Sequence, residues 1–173
     1  MKSTIDDLLS RRSSRKYMDK QISDDELMTV LKAGEYAPSA MNRQSSIMVI
    51  LQNKEDIATL SKMNAEIMNS SSDPFYGAPT VIVVLGDRNN PNAVQDGSLV
   101  MGNLMNAAAA MGLGSCWINR AYEEFESEEG KKLLRKWGVN GEYIGIGHCI
   151  LGYALDLPKE APPRKKDWLY FVR

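Results

Sequence analysis

Across residues 97–111 the only polar side chains are Ser98, Asn103 and Asn106, so this stretch is apolar around nearly its whole circumference rather than along one stripe. Four consecutive alanines, Ala107, Ala108, Ala109 and Ala110, favour helix and let a neighbouring backbone come close. Gly112 and Gly114 stop the helix, and residues 115–118 read as a short buried strand. The pattern predicts a central helix enclosed by the rest of the chain. It is too short to span a membrane, which takes about 20 apolar residues.

Around that helix the pattern places further elements. Ser23 and Glu26 have capping-box spacing, Ile22 and Leu27 that of a hydrophobic staple, and the helix they open buries Leu27, Val30 and Leu31 and ends near Gly34 or Tyr36. Residues 47–51 are a strand. A helix is predicted from Asp56 to about Met68, with Leu60, Met63 and Ile67 on one side and Asn64 near that face. The β-branched run over 80–86 reads as a fully buried central strand. An exposed helix ends at Trp137 before Gly138, and Asn140 with Gly141 makes a tight turn. The apolar run over 143–154 is interrupted by Gly145, Gly147 and Gly152, which mark close approach by a backbone or ligand. His148, within that run, reads as a core histidine with a satisfied hydrogen bond.

Composition narrows the picture. A chain of 173 residues suits one domain over 1–173, long enough to bury about 68 to 70% of its unfolded surface. A net charge of -1 gives no global reason to bind nucleic acid or membrane. The N-terminus, MKSTIDDLLSRR, has no apolar stretch behind it, so no signal peptide is expected and the protein is expected to be cytoplasmic. Cys116 and Cys149 lie in apolar runs and read as reduced, buried thiols. With two cysteines and one histidine, no metal site is expected.

Candidate chemistry begins at RRSSRKY, where Arg11, Arg12, Arg15 and Lys16 surround Ser13 and Ser14. Guanidinium forks, hydroxyls and backbone N–H groups together suit a phosphate dianion. A solvated basic turn is an equal reading of this segment alone. The loop APSAMNRQ offers Ser39, Asn42 and Gln44, which ordinarily serve turn chemistry. At the other end, Arg164, Lys165 and Lys166 precede WLYFVR, an apolar terminus that needs something to pack on, such as a second subunit. No H-E-x-x-H, C-x-x-C or dinucleotide glycine fingerprint is present, and the lone histidine has no nucleophile to activate. An enzyme of this composition would borrow its chemistry from a cofactor.

RRSSRKY, APSAMNRQ, FYGAPTVIVV, GLGSCWI and GYALDLP with the basic PPRKK tail, in this order from about Arg11 to Lys166, together resemble the flavin-dependent nitroreductase family. The resemblance implies an α+β three-layer fold, a mainly antiparallel sheet between helices, with a C-terminal extension exchanged in a homodimer. It implies FMN at two subunit interfaces. Arg11, Arg12, Ser13 and Arg15 would hold the phosphate and the isoalloxazine edge, and Pro38, Ser39, Ala40 and Asn42 would line the site from the partner chain. Asn64 would reach the pyrimidine edge, Trp117, Ile118 and Asn119 would present backbone beside N5, and Arg164 and Lys166 would complete the phosphate clamp. No side chain is expected to act as an acid or base. The implied activity is transfer of hydride from NAD(P)H to an electron-poor acceptor, a nitroaromatic or quinone, in a ping-pong cycle. Reductive dehalogenation, enoate reduction and flavin breakdown are alternatives within the family; a nucleic-acid-binding module is the alternative outside it. The family often has glycine where this chain has Asn119. Phe75, Tyr76 and Tyr122 are candidates for setting the acceptor.

Overall fold

The computed structural model describes residues 4–156 and 160–173. Its sheet has four strands, β1 (Ser46–Leu51), β2 (Thr80–Asp87), β3 (Gly114–Ile118) and β4 (Tyr143–Gly152), in the order β1-β2-β4-β3, and every neighbouring pair is antiparallel. Alternation along β2 sends Val81, Val83 and Leu85 to one face and Ile82 and Val84 to the other, and both faces are buried. One face is covered by α2 (Asp24–Glu35) and α4 (Ala93–Ala110). The opposite face is covered by α3 (Lys54–Ile67), α5 (Ala121–Glu126) and α6 (Glu128–Lys136). The N-terminal helix α1 (Thr4–Ser10) precedes these. The result is the α+β layering expected, with β2 as the buried interior strand.

Several local signals operate as the sequence predicts. At the start of α2, the Ser23 N–H donates to Glu26 Oε2 at 2.8 Å and the Glu26 N–H to Ser23 Oγ at 3.3 Å. This satisfies two of the donors a helix start leaves open. Gly112 (φ +76) and Gly138 (φ +77) follow α4 and α6 in the left-handed conformation that terminates helices.

Helix α4 departs from the expectation of complete enclosure. It buries Ala93, Asp96, Gly97, Val100, Met101, Leu104 and Ala108, a single face, while Val94 and Leu99 are exposed. A helix lying on a sheet can bury only the side turned toward it; the remaining apolar side needs another chain or stays accessible. On α3 the buried positions are Leu60 and Asn64, whereas Ile67 is exposed. The inward stripe therefore runs through Asn64, not Ile67.

The glycines of β4 do mark close approach. A Cβ at Gly145 would run into the backbone carbonyl of Ala121, which fixes how near α5 can lie to the sheet, and one at Gly147 would sit 2.6 Å from Trp117 Nε1. Opposite these positions the ladder slips, Val84 facing Gly147 and Leu85 facing Gly145. The extra residue, Ile146, packs against Gly97 of α4. Both cysteines are buried free thiols, and burial pushes Cys149 up to about 12, with Cys116 adding to the effect and Arg11 opposing it.

Candidate functional site

The segment after α1 runs along the outer edge of β3. Ser13 bridges to Ser115 in parallel, the Ser14 N–H donates to the Ser115 carbonyl at 3.0 Å, and Tyr17 bridges to Ala154. Asp156 latches the arm by accepting from the Ser14 hydroxyl and from the Arg15 N–H. Burial opposes charge on that carboxylate, but these hydrogen bonds hold it below the usual range. Beyond Ser115 no described strand pairs with the outer edge of β3, and a cleft of about 450 Å³ opens there. Arg15, Tyr76, Trp117, Ile118, Asn119 and Arg120 are among the residues that line it.

The arginines of the arm differ in what they do. Arg12 donates from Nη1 to the carbonyls of Leu9 and Arg11, at 2.9 and 2.6 Å, folding back on the end of α1. Arg15 is exposed at the cleft. Arg11 is half-buried, and its Nη1 is buried with no hydrogen-bond partner. A guanidinium nitrogen removed from water without an acceptor is costly, and an anion with several oxygens would satisfy it.

Asn64 lies elsewhere than expected. It is fully buried, its Nδ2 donates to the Asn119 carbonyl at 2.8 Å, and its Oδ1 accepts from Arg120 Nε at 2.9 Å. Both ends of the amide are occupied inside the protein, so it supports the 119–120 backbone from behind instead of facing a ligand. Arg120 itself has φ +76, uncommon for a residue with a side chain.

A second cleft, of about 700 Å³, is lined by Pro38, Ser39, Asn42, Gln44, Met48 and Asp96 among others, and shares no residue with the first. The loop around it is held by its own side chains: the Gln44 N–H donates to Ser39 Oγ at 3.0 Å, and Gln44 Nε2 to Asn42 Oδ1 at 3.0 Å. Met41, Asn42 and Gln44 all have φ between 50° and 56°. Such strain persists only where surroundings enforce it. Asp96 is the enforcing group that sequence reasoning missed. It is buried in α4 and accepts from the Ala40 N–H and from Asn90 Nδ2, both at 2.9 Å. A lone acid at the start of an apolar helix was the available signal.

Arg164 and Lys166 are exposed in the C-terminal arm and line neither cleft. Phe75, expected to face the acceptor, is fully buried with its ring 5.2 Å from that of His148; Tyr76 lines the first cleft, and Tyr122 is exposed. His148 is a core residue as read. Its Nδ1 lies 3.3 Å from the Ile118 carbonyl, and its Nε2 lies 2.8 Å from Glu124 Oε2, with both side chains fully buried. That second contact is close but poorly aligned as a hydrogen bond, and Glu124 Oε1 has no partner. The pair ties α5 and β4 to the end of β3, directly behind the first cleft. Among the described residues no three His, Cys, Asp or Glu side chains are grouped to hold a metal ion, and no helix is long and apolar enough to cross a membrane.

Residues 8–153 match the family model described as Nitroreductase family. An Archaeoglobus fulgidus protein provisionally named NADH dehydrogenase/NAD(P)H nitroreductase is 32% identical over 155 residues, 86% of this chain and 84% of its own. A Bacteroides fragilis nitroreductase, whose crystal structure has bound FMN, superposes with a TM-score of 0.90 at 26% identity, covering all of both chains. An FMN-dependent nitroreductase from Clostridium difficile R20291 has a TM-score of 0.81 at 28% identity, covering 98% of this chain and 99% of its own.

Proposed function

The chain belongs to the nitroreductase family, and we propose that it is an FMN-dependent oxidoreductase that carries reducing equivalents from NAD(P)H to an electron-poor acceptor, a nitroaromatic or quinone. The observation that carries this reading is the Arg11 Nη1 donor, buried without an acceptor on an arm that borders the open edge of β3. A flavin phosphate would supply the missing oxygens. Arg15 and the Ser13 region would bind the same group, with Arg12 bracing the end of α1. The backbone of Trp117, Ile118 and Asn119 would lie along the ring system, and Asn64 holds that backbone in place from behind. When bound, FMN supplies two-electron redox chemistry, which lets hydride donor and acceptor use the site in turn.

The site is proposed to be complete only in a homodimer. Pro38, Ser39 and Asn42 line a cleft separate from Arg15 and Trp117 in one chain, so they, with Ala40 of the same loop, would line the flavin site of a second chain. Two apolar surfaces support pairing. One is the outer side of α4, at Val94 and Leu99; the other is the tail, where Trp168, Leu169, Tyr170, Phe171 and Val172 are 65 to 99% exposed. Contiguous apolar surface of this kind is a mark of protein–protein contact. Arg164 and Lys166, on the same tail, would complete the phosphate clamp. The proposal extends to a single flavin-binding domain over the whole chain.

Separate anaerobic half-reactions test the activity. Adding NADH or NADPH to the FMN-loaded protein is expected to bleach the visible flavin absorbance, and a nitroaromatic or quinone added afterwards is expected to restore it. No bleaching by either nicotinamide would contradict the assignment.

A further inference from the structure

We propose that Arg120 is an acceptor-recognition residue and that the electron acceptor carries a carboxylate. This rests on the flavin oxidoreductase reading above and narrows its substrate class.

Arg120 lines the first cleft, and among the described residues no carboxylate lies within ion-pairing distance of it. Its one side-chain hydrogen bond runs from Nε to Asn64 Oδ1 at 2.9 Å. A guanidinium has five N–H donors, so the bond at Nε anchors the side chain and leaves the four Nη hydrogens for a ligand. The anchor is itself rigid, because Asn64 is fully buried and its other end is bonded to the Asn119 carbonyl. The left-handed backbone at Arg120, where glycine would sit without strain, keeps a long cationic side chain at this point instead. The strain and the buried tether both act on one residue that lines the cleft.

The other charged groups there do not compete for the role. Arg15 is assigned to the cofactor. Asp73 also borders the cleft, but its carboxylate accepts from Ser61 Oγ at 2.6 Å, the Phe75 N–H at 2.8 Å and the Gly77 N–H at 2.6 Å, so it is committed to its own loop. Arg120 is thus the cation left for a second ligand. Met68 and Tyr76, both exposed, border the same cleft and offer apolar and aromatic surface to an aromatic acid. With a nitroaromatic acid the balanced step is R–NO2 + NAD(P)H + H+ giving R–NO + NAD(P)+ + H2O. The carboxylate is unchanged and serves to orient the ring.

Binding of dead-end ligands tests this without turnover. Oxidised, FMN-loaded protein is titrated with benzoate and with benzamide while the visible flavin spectrum is followed. Benzoate is expected to bind about tenfold or more tightly than benzamide, and Arg120→Gln to abolish that preference while changing FMN affinity less than about threefold. If Arg120→Gln does not retain FMN, Arg120→Lys is used, and it is expected to keep a preference for benzoate. Equal affinities in the unaltered protein overturn the proposal, as does a preference that survives Arg120→Gln or is lost in Arg120→Lys. A variant that keeps the benzoate preference but loses discrimination of NADPH from NADH overturns it too, since Arg120 would then read the nicotinamide phosphate. Protein that takes up no FMN is recognised before benzoate is added, and that result contradicts the flavin reading itself.

Discussion

Replacing Arg11 with alanine is expected to weaken FMN binding by about 2 to 5 kcal/mol, roughly thirty- to several-thousandfold, with helical content unchanged. The size of the effect follows from where the guanidinium lies. Its Nη1 is buried without a partner, so much of its desolvation cost is already met in the free protein and a phosphate oxygen would restore a charge-assisted bond. Arg15, exposed at the cleft, remains solvated when free, and Arg15→Ala is expected to cost less, on the order of tenfold. Arg11 makes a single backbone hydrogen bond to α1, from its N–H to the Asp7 carbonyl, which alanine retains. Fluorescence titration with FMN and far-UV circular dichroism of both variants check these outcomes. Equal, unaltered affinities would move the phosphate away from the arm.

The second large effect is on stability. His148→Leu is expected to destabilise the protein by about 3 to 5 kcal/mol, because it removes the ring whose Nε2 lies 2.8 Å from Glu124 Oε2 and leaves a fully buried polar side chain with only apolar replacement atoms beside it. For a chain of this size that corresponds to a fall in Tm of roughly 10 °C. Pairing it with Glu124→Leu removes the orphaned polar group, so the double variant is expected to recover much of the loss. Urea unfolding of FMN-free protein at one fixed concentration measures all three. Additive losses would mean that the two side chains contribute independently and that the pair does not hold α5 against β4.

The elements built from local chemistry were legible in the sequence. The Ser23–Glu26 box opens α2, the β-branched run is the interior strand β2, and left-handed glycines close α4 and α6. The order of five short motifs pointed to the family. Less legible were features produced by residues far apart in the chain. Asn64 meets residues 119 and 120 across more than fifty positions, and neither period nor composition marks that meeting. Helix α5 escaped notice because AYEEFE is too short and acidic to show an apolar stripe, and nothing in that stretch marks Glu124 as fully buried against His148. The enclosure expected of α4 came from counting apolar positions, whereas a helix laid on a sheet buries only the side turned toward it.

The proposed second chain and the flavin meet in one measurement: titration of the cofactor-free protein with FMN, followed by visible absorbance, on material whose mass is determined by sedimentation. Saturation at one FMN per chain in a dimer is the expected result. A protein that leaves FMN free in solution, or a monomer that binds it fully, would contradict it.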